Sequence, residues 1–129
     1  MKIELVMLGW SALLCMLLPV PYAIGFMRQL GLPALAGNRE NFPAGEGWVG
    51  RARRAHANMV ENLVPFAALV LAVVVAGKTS GMTAAAAELF LVARVVHAVV
   101  YIAGISWVRT VAHAVNVVAM LMLVVALLG

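Results

Sequence analysis

Residues 51–66 read Arg-Ala-Arg-Arg-Ala-His-Ala-Asn-Met-Val-Glu-Asn-Leu-Val-Pro-Phe, a polar opening on an otherwise apolar run. At about 100° per residue, Arg51, Arg54, Asn58, Glu61 and Pro65 fall in a stripe roughly 80° wide, so one helix face is polar for about three turns. Arg94, His97 and Tyr101 recur at spacings of three and four and share a second face. Arg109, His113, Asn116 and Met120 make a third. Arginines near helix N-termini invite an anion, because the unpaired N–H groups and the helix dipole add to the guanidinium charge. Deeper, Asn58 and Glu61 offer acceptors suited to an ammonium or amide, with His97 and Tyr101 on the facing helix. A ligand with carboxylates at one end and an amine within reach satisfies this set.

The elements that must position these groups are set by composition. The chain has 129 residues, of which 65% are hydrophobic and 11% charged. Its mean hydropathy of +1.05 lies well outside ordinary globular usage. Helices over about 3–28, 48–76, 82–105 and 107–128 match the roughly 20 residues that cross about 30 Å of hydrocarbon. The expected fold is therefore all-α, an integral membrane four-helix bundle forming a single domain over 1–129. The net charge of +4 does not point to nucleic acid, because the basic residues collect at helix ends rather than on a soluble face with aromatics between them. Lys2 followed by some 23 apolar residues exceeds a signal-peptide core and is read as a retained first helix.

Within the first span, Pro19 and Pro21 remove backbone donors and predict a bend. Arg28 closes that span, either as an interface anchor or as a ligand contact. Residues 31–50 carry Gly31, Pro33, Gly37, Asn38, Pro43, Gly45 and Gly47, which predicts an irregular loop outside the hydrocarbon, with Arg39, Glu40 and Glu46 solvated. Arg53 and His56 project away from the polar stripe and are read as topology-setting and surface residues. Cys15 is one cysteine in an apolar run and is assigned to packing. Ser106 is the expected N-cap of the fourth helix. His113 and Asn116 are candidates for interhelical hydrogen bonding. The three histidines lack metal-ligand spacing, so no metal is expected.

Glu61 lies roughly 15 Å inside the second helix and Arg94 roughly 16 Å from the far end of the antiparallel third. Equal depth predicts that the two charges compensate each other inside the protein. Arg28, Arg39, Arg51, Arg53, Arg54 and Arg109 flank one side of the membrane, and Lys2 and Lys78 the other. The positive-inside bias then places the 31–50 loop and the arginine-rich end in the cytosol and both termini outside, the membrane being the inner or cell membrane if the chain is bacterial.

Residues 53–66, the run Ala-Arg-Val-Val-His-Ala-Val-Val-Tyr over 93–101, and Arg109-Thr110 resemble the family of membrane-associated proteins in eicosanoid and glutathione metabolism (MAPEG), in particular its microsomal glutathione transferase branch. The resemblance implies a homotrimer of four-helix subunits with glutathione as co-substrate, held between neighbouring subunits near the cytosolic face. It implies that Arg28, Arg51, Arg54, Asn58, Glu61, Arg94, His97, Tyr101 and His113 surround glutathione, and that Arg109 and Thr110 stand at the thiol. A thiol beside a guanidinium and a helix N-terminus ionises more readily, and the thiolate is the nucleophile.

Ala57 stands where the prostaglandin E synthase branch has a second arginine, and His113 where it has a tyrosine. Gly37-Asn38-Arg39-Glu40-Asn41 replaces that family's Asn-Pro-Glu-Asp stretch. A general glutathione-dependent transferase or peroxidase acting on a hydrophobic small molecule or lipid fits better than an eicosanoid synthase. Two other readings stay open: a protein of this fold that binds glutathione or an anionic lipid without turnover, and a small transporter.

Overall fold

The first apolar span is two helices rather than one. In the computed structural model, which describes residues 1–129, α1 (Ile3–Leu17) gives way at Leu18 to α2 (Pro19–Leu30). The Leu18 N–H still reaches the Leu14 carbonyl, but Pro19 has no N–H to continue the ladder, so the break falls where the proline pattern predicts it. The 31–50 loop is less irregular than its composition predicts. It contains a short helix, α3 (Leu32–Ala36), with Pro33 in its first turn. The proline that interrupts a longer helix is pre-set for the opening of a short one.

Three long helices complete the bundle: α4 (Gly47–Val75), α5 (Gly81–Ala103) and α6 (Ser106–Leu128). With α1 and α2 taken together, four spans are long and apolar enough to cross a membrane. At 1.5 Å per residue the 29 residues of α4 extend about 43 Å, longer than the hydrocarbon is thick, so its arginine-bearing start reaches beyond it.

Packing relies on small residues that let helices approach. Ala86 and Ala87 of α5 and Ala119 of α6 are buried beside Met59, Phe66, Val70 and Val73 of α4. Phe66 and Phe90 stack with ring centroids 3.7 Å apart. Gly25 permits the close approach of α2 to α4, since a Cβ there would meet Val49 Cγ2 at 2.6 Å. Cys15 packs half-buried at the edge of this core. The outer surface carries Val64, Leu71, Val92, Val99, Val111, Leu121 and Val125, an apolar exterior suited to lipid.

The two ends of the bundle differ in their polar groups. At one end Ser80 and Thr83 form a reciprocal cap on α5, the Thr83 hydroxyl bonds the buried Glu4 carboxylate, Lys2 Nζ donates to Thr79 at 3.0 Å, and Lys78 Nζ donates to the Leu127 carbonyl at 2.8 Å. The N-terminus, the turn before α5 and the C-terminus therefore gather at one end. At the other, α5 stops at Gly104, whose φ of 84° is the left-handed conformation that glycine adopts without penalty. Ser106 is not the N-cap of α6: Ile105 holds that position and no side chain caps the helix.

Candidate functional site

The polar stripes meet, in part, at the arginine-rich end. Asn58 of α4, His97 and Tyr101 of α5, and Arg109, Thr110 and His113 of α6 line one cleft of about 290 Å³. The Arg109 guanidinium lies over the Tyr101 ring, 4.7 Å from its centroid, which fixes a delocalised cation at the wall of the cleft. His97 stands edge-on to Tyr101 with centroids 5.4 Å apart, and its ring lies 6.4 Å from that of His113. The Thr110 hydroxyl donates to the Ser106 carbonyl at 3.2 Å, leaving its oxygen as an acceptor. Because α6 begins without a side-chain cap, and its first backbone ladder bond is that of Arg109 to Ile105, the N–H groups of Ser106, Trp107 and Val108 remain free beside Arg109.

Beneath the cleft, Arg94 is 1% exposed and its Nη2 lies 3.3 Å from His97 Nδ1. Arginine only donates, so Nδ1 accepts and the neutral imidazole keeps its proton on Nε2. His97 is thereby a donor on the side away from Arg94. The predicted pairing of Arg94 with Glu61 does not form. Arg94 Nε and Nη1 have no partner, and Glu61 is exposed on the outer face of α4. The stacking of Phe66 on Phe90 sets residues 61 and 62 of α4 level with 95 and 94 of the antiparallel α5, as equal depth requires, but one residue step is about 100° of rotation. The neighbouring Asn62 is the one that turns inward. Its Oδ1 accepts from Asn116 Nδ2 at 2.9 Å, and its own Nδ2 donates to the Asn58 carbonyl at 2.8 Å. Asn116 is thus the interhelical bond its position predicts, while His113 is exposed in the cleft.

The remaining stripe residues stand apart from the cleft. Arg54 and Glu61 are exposed on the outward face of α4, and Arg28 is exposed on the last turn of α2. Arg51 donates from Nε to the Ile102 carbonyl at 2.9 Å, satisfying the end of α5. Two residues read as mere surface have defined partners. The Tyr22 hydroxyl and His56 Nδ1 share a hydrogen bond of 3.0 Å, and Arg53 lies over the rings of Phe26 and Phe42. The contact between His56 and Tyr22 spans 34 residues and leaves no periodic trace in the sequence.

The model of the MAPEG family matches residues 5–129, almost the whole chain. The chain belongs to the MAPEG family. Neither a curated protein nor a solved structure matches it. Its four membrane-crossing helices and MAPEG membership make it an integral membrane protein, and membership is consistent with a glutathione-related role in the membrane.

Proposed function

We propose that the protein is a glutathione-dependent transferase or peroxidase of the microsomal glutathione transferase type, which ionises the glutathione thiol for attack on a hydrophobic electrophile or lipid hydroperoxide. The observation that carries this reading is the cleft itself, where the Arg109 guanidinium, held over the Tyr101 ring in the first turn of the uncapped α6, faces Asn58, His97 and Thr110. Fixed positive charge and oriented N–H donors favour a thiolate over a thiol. In transfer to an aryl halide, the thiolate sulfur forms the new C–S bond, the carbon–halogen bond breaks, and halide leaves with the bonding pair. The thiol proton passes to solvent.

The exposed face of α4 supports a homotrimer. Counting back about 20 residues from Val75 brings the hydrocarbon boundary near His56, so Glu61 sits inside it. A carboxylate turned to lipid at that depth is costly, and such groups face protein or a water-filled cavity. A neighbouring copy covering Arg54 and Glu61 brings them against its own cleft and supplies the acceptor for the amine end of glutathione. The excess of arginine at this end supports a cytosolic orientation for it, with both termini outside. The reading is tested by purifying the protein and following conjugation of glutathione to 1-chloro-2,4-dinitrobenzene. Turnover that depends on protein and falls about a hundredfold in Arg109→Ala supports it, whereas a rate equal to the uncatalysed reaction contradicts it.

A further inference from the structure

A second cleft lies at the arginine-rich end, on the other side of α4 and sharing no lining residue with the first. It has a volume of about 200 Å³ and is walled by Tyr22 and Phe26 of α2, Leu35 of α3, Phe42 and Arg39 of the loop, and Arg53 of α4. Phe26 and Phe42 pack with centroids 4.8 Å apart. The Arg53 guanidinium lies 5.8 Å and 5.7 Å from these two rings, and the Arg39 guanidinium lies 5.5 Å from Phe42. Two cations therefore share one aromatic ring, although like charges brought together repel.

Neither cation is neutralised within the subunit. Arg39 Nε donates to the Leu35 carbonyl at 2.8 Å and Arg53 Nη1 to the Pro43 carbonyl at 3.0 Å, so each keeps most of its five N–H donors. Both contacts tie a guanidinium to loop backbone, and Arg39 itself adopts a φ of 59°, a left-handed conformation uncommon for a side chain of its size. Two planar forks, stiffened by stacking and short of an anion, match the geometry of a phosphodiester.

We infer that this cleft binds the phosphodiester headgroup of an anionic phospholipid from the leaflet at the arginine-rich end. Its walls favour lipid over a soluble anion, because apart from the two arginines they are apolar or aromatic. Its volume holds a headgroup and not a whole lipid. Val20, Ile24 and Met27 are exposed on the neighbouring stripe of α2, roughly 100° round that helix, where acyl chains would lie. Anionic lipids are concentrated in the cytoplasmic leaflet, the side that the basic-residue bias assigns to this end. The effect on the fold is direct: a phosphate bridging Arg39 and Arg53 clamps the loop to the start of α4.

Native mass spectrometry of the purified full-length protein, titrated in neutral detergent with phosphatidylglycerol or phosphatidylcholine, tests this. The first phosphatidylglycerol should bind about thirtyfold more tightly than phosphatidylcholine, the size expected for two arginines near an anionic headgroup. The double variant Arg39→Gln/Arg53→Gln should lose that preference. Arg39→Lys/Arg53→Lys keeps the charge but not the planar forks and should weaken it about threefold, as should Phe42→Leu. Millimolar inorganic phosphate should not displace the lipid. No preference in the wild-type protein, or a preference unchanged by the glutamine or lysine pairs, overturns the inference. Displacement by inorganic phosphate shows a soluble-anion site and overturns it equally. Arg53 also holds Pro43, so the thermal unfolding of each variant is recorded. If the glutamine pair fails to fold, the lysine pair and Phe42→Leu decide.

Discussion

The two ends of the bundle use similar residues in opposite ways. At the end that gathers the termini, most of the polar groups are consumed by the fold, Glu4 by Thr83, Lys2 by Thr79, and Lys78 by the Leu127 carbonyl, although Glu88, further along α5, is exposed without a partner. At the arginine-rich end, Arg54, Glu61 and Arg28 are exposed, Arg109 and His113 line an open cleft, and the start of α6 is uncapped. A polar group inside an apolar solvent must be satisfied by something. Where the subunit supplies the partner, the group is part of the architecture. Where it does not, the group is available to a ligand or a neighbouring copy, and the difference separates scaffold from site without reference to residue type.

Substitutions at the two ends should therefore fail in different currencies, activity at one and stability at the other. The largest effect is expected for Arg109→Ala, which should lower kcat for glutathione conjugation about a hundredfold, as loss of one fixed donor to a developing anion does. Its affinity for glutathione, read by calorimetry, should change little. Next, Thr83→Val leaves the buried Glu4 carboxylate without its hydroxyl partner and should cost about 2 kcal/mol in denaturant unfolding, with kcat/KM unchanged. Arg54→Ala and Glu61→Gln should each weaken glutathione binding about tenfold while leaving unfolding unaltered, as expected for charge-assisted contacts made only to a ligand. The smallest effect is expected at the boundary between the regions. Asn116→Ala breaks the bond to Asn62 and should cost about 0.6 kcal/mol, typical of hydrogen bonds between membrane helices. Loss of activity in Thr83→Val, or loss of stability alone in Arg54→Ala, would erase the distinction between the two ends.

Much of this arrangement is legible in the sequence, because the signals involved are one-dimensional. Hydropathy marks the four spans, Pro19 marks the break between α1 and α2, and the spacings of Arg94, His97 and Tyr101 put them on one face, two of them in the cleft. Rotation of a helix about its axis is not legible in the same way. A membrane helix is apolar on both its core and its lipid face, so nothing in the pattern says which side turns inward. Glu61 and Arg94 match in depth and still fail to meet, while Asn62, one position on, reaches Asn116. The same limit hides His56 against Tyr22 and Arg53 against Phe26 and Phe42, contacts that depend on how α2 and the loop settle on α4. The cap of α6 shows a smaller failure, since Ser106 has the side chain for an N-cap but stands one residue inside the helix.

The central claim is that the cleft holds glutathione as its thiolate. The most direct measurement is the ultraviolet difference spectrum of the protein with saturating glutathione at neutral pH, taken beside a calorimetric titration of the same sample. A thiolate band that appears with binding, and that Arg109→Ala removes while glutathione still binds, is the result this account predicts. Binding with no thiolate band in the unsubstituted protein would contradict it.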